Sequence, residues 1–295
     1  MGLVFYYFTK FADHFILIYS ALLFATYFLL SAFSAMDIQK YMRRNSFIDY
    51  RDILTAPSAP SISIIAPAYN ESKNIVENVR SILNIHYVNF EVIIVNDGSK
   101  DDTLQLMIDA YELEAAPVAI EQKLASKPIV AVYKSKIPSL GRLTVIDKVN
   151  GGKADALNAG INISRYGIFA AIDVDCILEY ESLLKMVKPF MEQTESDKVI
   201  AVGGVVRIAN SCEVNEGKII RVNLPDQILP RIQVLEYIRA FLLGRMAWSR
   251  LNGLILISGA FGMFDKKIAI DCGGYNHRTV GEDMELVIRM RRYME

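Results

Sequence analysis

Two aspartates, Asp173 and Asp175, stand at alternate positions directly after the apolar run of residues 168–172. A carboxylate at the end of a buried strand is costly unless a partner compensates its charge. Carboxylate oxygens are hard ligands that suit Mg²⁺ or Mn²⁺, and such an ion can also bridge phosphate oxygens. Asp175 could instead only cap a turn. We favour the first interpretation, in which Asp173 and Asp175 hold a divalent cation.

A glycine pair, Gly151 and Gly152, precedes a predicted helix over residues 153–163 whose first residue is Lys153. Backbone amides at a helix N-terminus, together with one ammonium group, suit a diphosphate. The P-loop pattern GxxxxGK[ST] is absent, which argues against a P-loop nucleotide hydrolase. A flexible loop with a solvated Lys153 is the alternative, and this segment alone leaves both open.

Polar residues also follow the two apolar runs of residues 62–66 and 90–95. After the first run, we predict that Pro67 ends the sheet ladder and that Tyr69 offers a ring on which a base can stack. After the second run, Asp97 can accept hydrogen bonds from a base or a ribose. Both segments are equally typical of ordinary turns and helix caps.

The last predicted helix, residues 284–293, is preceded by the acids Glu282 and Asp283. Acids in the first turn of a helix interact favourably with the helix dipole, which requires no further function. At the mouth of a sheet, Asp283 would instead be placed to act as a general base. Taken by itself, the pattern favours the helix-dipole explanation.

These clusters stand mostly at predicted junctions between strands and helices. The alternation of short apolar runs with residues at helical spacing predicts an α/β fold, with a mostly parallel sheet and helices on both faces. Ligands bind such sheets at the carboxyl ends of the strands. The predicted strands are residues 62–66, 90–95, 129–133, 168–172 and 199–206, and the predicted helices are residues 73–84, 102–111, 153–163 and 181–193.

The N-terminal stretch of residues 15–36 contains no charged residue, proline or glycine. As a helix it would span roughly 33 Å, close to the ~30 Å hydrocarbon core of a bilayer. A signal peptide would have a shorter apolar region and a small-residue cleavage site; a buried core helix is the other alternative. Lys10 precedes the run, whereas Lys40, Arg43 and Arg44 follow it, so the positive-inside rule places the C-terminal side in the cytoplasm.

We therefore expect a single-pass protein of the inner (plasma) membrane, in contact with the lipid bilayer. A tail of residues 1–14 would precede the transmembrane helix, and a juxtamembrane connector of residues 37–60 would lead to a cytoplasmic domain of residues 61–295. Residues 231–251 mix apolar and arginine side chains. This pattern predicts either an amphipathic helix on the membrane surface or a helix packed on the sheet.

Charge and cysteine usage exclude other classes of protein. The formal net charge of −1 is not the basic footprint of a nucleic-acid binder, so we expect no nucleic-acid partner. The three cysteines are widely spaced, which argues against a disulfide framework or a zinc cluster.

In chain order the polar segments read PAYNE, VNDGS, GGKADALNAG, DVD, SGAFG and GED. In this order and spacing they resemble glycosyltransferase family 2, from about Ile62 to the C-terminus. Within the family, the chain is similar to the membrane-bound processive synthases, which include the poly-β-1,6-N-acetylglucosamine, cellulose, chitin and hyaluronan synthases. The resemblance implies a GT-A fold and an inverting transfer of a sugar from a UDP-sugar donor.

The resemblance also implies a role for each site residue. Asp173 and Asp175 would ligate Mg²⁺ or Mn²⁺, and Asp283 would deprotonate the acceptor hydroxyl. The implied nucleotide-sugar site consists of Pro67, Tyr69, Glu71, Asp97, Lys153 and Asp173. The implied acceptor site consists of Ser258, Gly259, Phe261, Gly262 and Glu282.

The implied reaction adds a sugar, N-acetylglucosamine in our prediction, to a growing β-linked polysaccharide. The alternatives are transfer of one sugar to a lipid carrier or glycolipid, and a non-catalytic sugar-nucleotide-binding subunit or fragment. Processive members carry a Gln-x-x-Arg-Trp motif after the Glu-Asp pair, whereas the only tryptophan here, Trp248, precedes Asp283. We therefore expect a C-terminally incomplete domain, with the missing part supplied by a further C-terminal segment or a partner subunit.

Overall fold

The computed structural model describes residues 2–45, 53, 54, 56, 59–195, 197–215, 218–279 and 281–295. The chain divides into a helical unit, Met1–Ile48 with Leu229–Leu254, and an α/β unit, Asp49–Ile228 with Ile255–Glu295. The strands are β1 Ile62–Ala68, β2 Phe90–Asn96, β3 Leu113–Ala115, β4 Ile129–Ser135, β5 Leu143–Lys148, β6 Ile168–Ile172, β7 Ala201–Gly203, β8 Glu213–Asn215, β9 Lys218–Arg221 and β10 Phe261–Asp265. The α-helices are α1 Gly2–Asn45, α2 Ile75–Leu83, α3 Thr103–Tyr111, α4 Lys153–Ile163, α5 Ser182–Glu192, α6 Ile228–Ile238, α7 Met246–Arg250, α8 Lys266–Asp271 and α9 Glu282–Met294.

The main sheet of the α/β unit has eight strands in the order β3-β4-β5-β2-β1-β6-β10-β7. The four central strands, β5, β2, β1 and β6, run parallel to one another. The flanking strands β4 and β10 pair antiparallel to them. The mostly parallel sheet that we predicted is therefore a mixed sheet with a parallel centre, and the carboxyl ends of the central strands share one edge.

Helices cover both faces of this sheet, as predicted. Successive side chains of a strand point to opposite faces. In β1, Ile62 and Ile64 accordingly pack in a core with residues of α2, α3 and α5, whereas Ile65 packs in a second core with residues of α4, α8 and α9. Helix α2 forms here because Ile75, Val79 and Ile82 recur at helical spacing, and all three are fully buried.

The predicted end of the first strand at Pro67 is wrong. The strand β1 continues to Ala68, and Pro67 is paired with Val95 of β2. The pairing of β1 with β6 stops at Ile65. A proline lacks an N–H donor. It is tolerated here because at Pro67 β1 pairs only with β2 and no longer with β6. The predicted strand of residues 199–206 also shortens to β7, and β5 and β10 were not predicted.

The helical unit begins with a helix much longer than the predicted span. Helix α1 has 44 residues, so it is about 66 Å long and includes the predicted tail and the start of the predicted connector. It continues beyond residue 36 because Gln39, Lys40 and Arg43 are good helix formers. By length and composition Tyr6–Arg43 can cross a membrane. Much of the rest of the connector, residues 46–52, 55, 57 and 58, lies outside the described residues.

The second piece of the helical unit packs against α1. It consists of α6, a π-helical segment Arg239–Arg245 and α7. The Ser34 hydroxyl of α1 donates a hydrogen bond to the Leu242 carbonyl, and the Arg250 guanidinium lies 2.9 Å from the Asp37 carboxylate. We predicted that residues 231–251 would lie on the membrane surface or pack on the sheet; their contact with α1 was not predicted.

Candidate active site

The loop after β1 is held against the loop after β2 at the carboxyl edge of the sheet. Asn70 adopts the left-handed region at φ 57°, and its N–H donates to the Ser99 hydroxyl at 3.0 Å. The Glu71 N–H donates to the Thr103 hydroxyl at 2.8 Å. Tyr69 directly precedes these two fixed residues, and 44% of its surface is exposed. Its ring is therefore available for stacking on a planar ligand.

Lys153 joins three segments that are distant in sequence. It is the first residue of α4, and its ammonium group forms an ion pair with Asp173, which directly follows β6. It also donates to the Gly259 carbonyl at 3.2 Å, in the turn before β10. Burial lowers the pKa of Lys153, but the hydrogen bond and charge of Asp173, together with Asp283 and Glu282, raise it overall. Lys153 is therefore a fixed positive charge at the centre of the site.

Asp283 lies directly beside this lysine. A Cβ atom placed on Gly259 would collide with Asp283 Oδ2 and would lie 3.0 Å from Lys153 Nζ. Burial raises the pKa of Asp283 to about 6; Lys153 opposes this shift, whereas the negative charges of Glu282 and Asp173 add to it. A carboxylate with a pKa near neutral is suited to general-base catalysis.

The carboxylates that were predicted to bind metal also gather here. The ligand atoms of Asp173, Asp175 and Cys176 all lie within 4.8 Å of one another. The two carboxylates fit Mg²⁺ or Mn²⁺. The thiol is a poorer candidate ligand, because burial and the two neighbouring acids raise the pKa of Cys176 to about 11. Glu71 is close as well: burial raises its pKa, and Asp175 contributes to that shift.

The structure thus brings together the acids whose convergence the predicted site required. Asp173 and Asp175 lie at the end of β6, and Asp283 approaches from the start of α9, more than a hundred residues later. Lys153 connects the two groups by its ion pair with Asp173 and by its place beside Asp283. Glu282 is the first residue of α9, beside Asp283.

Asp97 is at the expected edge but is turned inward, with only 3% of its surface exposed. Its carboxylate lies 2.6 Å from Lys148 Nζ and accepts hydrogen bonds from the N–H groups of Gly151 at 3.0 Å and Gly152 at 2.7 Å. Lys148 Nζ is also 2.6 Å from the Asp155 carboxylate. Asp97 therefore anchors the glycine loop that begins α4, while its predicted contact with a base or ribose stays a prediction.

Two residues of the predicted acceptor site are buried in the sheet. Phe261 and Gly262 lie in β10, both are buried, and Phe261 belongs to the core. The reason is that the SGAFG segment runs directly from a turn into a strand between β6 and β7. Ser258 and Gly259, in that turn, remain beside Lys153.

Sequence reasoning missed Lys148, Asp155 and Cys176. Lys148 ends a strand that was not predicted, and a lysine at the end of an apolar run ordinarily indicates a solvated strand end. Asp155 falls at the third position of α4, where an acid is explained by the helix dipole. Cys176 follows Asp175 directly, which was a usable signal for a group near the metal ligands.

The sheet and its carboxyl-edge site define a protein of the GT-A class. The solved structure "Mannosyltransferase PcManGT from Pyrobaculum calidifontis in complex with GDP-Man and Mn2+" matches with a TM-score of 0.52 at 19% identity, covering 90% of this chain and 63% of that chain. Residues 63–119 and 125–266, together more than half of the chain, match the family model of glycosyl transferase family 2. The chain belongs to glycosyltransferase family 2, as its motifs predicted.

The curated relatives agree with the predicted subgroup. Poly-beta-1,6-N-acetyl-D-glucosamine synthase of Staphylococcus epidermidis is 27% identical over 223 residues, and that of Staphylococcus aureus strain COL is 29% identical over 225 residues. Each match covers 76% of this chain and 44% of the relative. The chain therefore spans about half the length of the curated relatives it matches.

Proposed function

We propose that this chain carries the catalytic domain of an inverting glycosyltransferase, which moves N-acetylglucosamine from UDP to a growing β-linked polysaccharide. The observation that carries the proposal is the placement of Lys153 between the Asp173 carboxylate and Asp283. Lys153 thus brings the proposed metal ligand Asp173, on the side of the donor phosphates, close to Asp283, the proposed base for the acceptor hydroxyl. The choice of sugar and polymer is supported by the similarity to the staphylococcal synthases.

On the donor side, the proposal assigns the base and ribose to Tyr69 and Glu71 and the diphosphate to Lys153. Asp97 and Pro67 act there by holding the loops that present these groups. Asp173 and Asp175 would hold Mg²⁺ or Mn²⁺. Such an ion, when bound, neutralises charge on a leaving diphosphate.

On the acceptor side, Asp283 takes the proton of the attacking hydroxyl, with Ser258, Gly259 and Glu282 beside it. A positioned base contributes about 10²–10⁴-fold to a rate. Attack on the face opposite the departing UDP inverts the anomeric centre. An α-linked donor therefore gives a β-linked product.

The proposal includes anchoring in the inner (plasma) membrane by α1, with the α/β unit in the cytoplasm. Support comes from the length and composition of Tyr6–Arg43, whose most apolar stretch has no buried residue. The cluster of Lys40, Arg43 and Arg44 after the apolar run supports this orientation. Sugar nucleotides would then reach the site from the side on which cells synthesise them.

The transfer reaction is tested by product length. Membranes that contain the full chain are supplied with labelled UDP-N-acetylglucosamine and Mg²⁺ or Mn²⁺, and the labelled products are separated by size. We expect a ladder of long products. Single-sugar adducts alone would reject processive synthesis in favour of transfer to a lipid carrier or glycolipid. Binding of UDP without any transfer would favour a non-catalytic binding subunit.

The metal assignment is tested by Asp175→Ala. Because this carboxylate is one of two that can hold the ion, we expect the Mn²⁺-dependent part of UDP affinity to fall about tenfold or more, ~1.4 kcal/mol. Isothermal titration calorimetry with and without Mn²⁺ measures the difference. Asp109→Ala, which removes an exposed acid from α3, is the matched control. The assignment fails if both variants bind UDP like the unaltered chain.

A further inference from the structure

The second piece of the helical unit exposes many large apolar side chains. No residue of α6 is buried within the described part of the chain. Exposed apolar surface of this extent indicates a contact with another molecule. The exposed fractions are 77% for Leu229, 56% for Ile232, 66% for Leu235, 50% for Trp248 and 50% for Leu251.

The place where this piece joins α1 indicates which molecule that is. Ser34 and Asp37 make the hydrogen bond and the ion pair to Leu242 and Arg250, and the Arg250 guanidinium lies 5.5 Å from the centre of the Phe33 ring. Phe33 and Ser34 lie at the end of the apolar run of residues 15–36, and Asp37 directly follows it. Residues 229–251 therefore contact α1 at the C-terminal end of its apolar run.

The charge of this piece is complementary to anionic lipid. Between residues 229 and 251 there are four arginines and one glutamate, in a chain whose formal net charge is −1. Arginine side chains bury their stems in apolar surroundings and keep the charged group near water. Tryptophan is enriched at the same boundary of a membrane. Exposed apolar side chains, arginines and a tryptophan in one segment are typical of helices that lie at a membrane interface.

We propose that residues 229–251 are a second membrane-contacting element, lying at the headgroup–acyl boundary of the bilayer that α1 crosses, with anionic phospholipid as the partner of the exposed Arg239. The inference rests on the proposed anchoring by α1 and is independent of the transfer reaction. The membrane attachment is then one crossing helix plus one helical segment at the bilayer surface.

Trp248 tests this directly, because it is the only tryptophan of the chain. The full chain is reconstituted into vesicles of phosphatidylcholine and phosphatidylglycerol, with bromine atoms on the acyl chains either near the headgroup or near the chain end. We expect loss of most tryptophan emission with bromine near the headgroup, a smaller loss with bromine near the chain end, and weak quenching by aqueous acrylamide.

A relocated tryptophan provides the matched control. In the double variant Trp248→Phe, Val130→Trp, the probe moves to a position of β4 that is 66% exposed. Its emission should be quenched by acrylamide and not by brominated lipid. For the charge, Arg239→Glu should reduce the quenching by brominated lipid at Trp248, whereas Lys267→Glu, a charge reversal at an exposed position of α8, should not. Equal quenching in both charge variants would overturn the role of anionic headgroups.

The membrane contact is overturned if acrylamide quenches Trp248 as freely as the relocated probe and brominated lipid does not. It is also overturned if Trp248 is shielded from both quenchers, because another protein surface then covers it. Alkaline carbonate extraction tests the anchoring by α1 separately. If carbonate releases the chain from membranes, both the anchoring by α1 and the membrane contact of residues 229–251 are rejected. An inactive but carbonate-resistant chain with lipid-quenched Trp248 rejects only the proposed transfer reaction.

Discussion

Turnover is expected to fall by about two orders of magnitude or more in Asp283→Asn, while UDP binding is retained. The amide has nearly the shape of the carboxylate but cannot take the acceptor proton. The residue packs over Gly259 beside Lys153. Initial rates with UDP-N-acetylglucosamine in membranes, with calorimetry of UDP binding alongside, measure the two effects separately.

The same residue predicts the pH dependence. Because burial raises the pKa of Asp283 to about 6, the carboxylate is protonated below that pH and cannot act as a base. The value of kcat/KM should therefore decrease as the pH falls through about 6, and this limb should vanish in Asp283→Asn. Asp109→Asn is the matched control and should keep both rate and profile. Undiminished turnover in Asp283→Asn would remove Asp283 from the mechanism.

The second large effect is expected at Lys148, whose side chain is fully buried between Asp97 and Asp155. Lys148→Met keeps an unbranched chain in place of the lysine stem but removes the ammonium group, and so leaves two buried carboxylates without their cation. Breaking such a pair costs about 3–5 kcal/mol of the free energy of unfolding. Denaturant unfolding of the solubilised protein, followed by the circular dichroism of the α/β unit, measures the loss.

An exposed ion pair offers the matched control. Lys136 pairs with Glu114 at 3.2 Å, and both side chains are 58% exposed. Surface pairs of this kind contribute about 0–1 kcal/mol, so Lys136→Met should have little effect. Similar losses in the two lysine variants would show that the buried network does not stabilise the fold in the way we infer.

The sequence predicted three of the four central parallel strands, β1, β2 and β6, and the helices that follow them, because each carries a continuous apolar run or stripe. It did not predict β5 and β10, since both end in charged residues and β10 follows a glycine-rich turn. The buried charge of Lys148 is compatible with a strand only because Asp97 and Asp155 compensate it, and this pairing depends on tertiary structure. The inward orientation of Asp97 was also not predictable, because it depends on the same ion pair with Lys148.

The candidate site shows the same division between local and distant information. Motif order identified Asp173, Asp175, Lys153 and Asp283, whose chemistry is evident from residue type. The ion pair of Lys153 with Asp173 was not predictable, because it depends on how α4 and β6 lie in the sheet. The burial of Phe261 was not predictable, because a local motif does not reveal whether a residue lies in a turn or in a buried strand.

The helical unit is discontinuous, since residues 229–254 are inserted between two parts of the α/β unit. Removing α1 alone would leave the π-helical segment and α7 without the helix on which they pack, and would uncover further apolar surface. Truncation at the N-terminus is therefore the wrong route to a water-soluble enzyme. Engineering one would mean excising both pieces of the helical unit and rejoining the chain across the second.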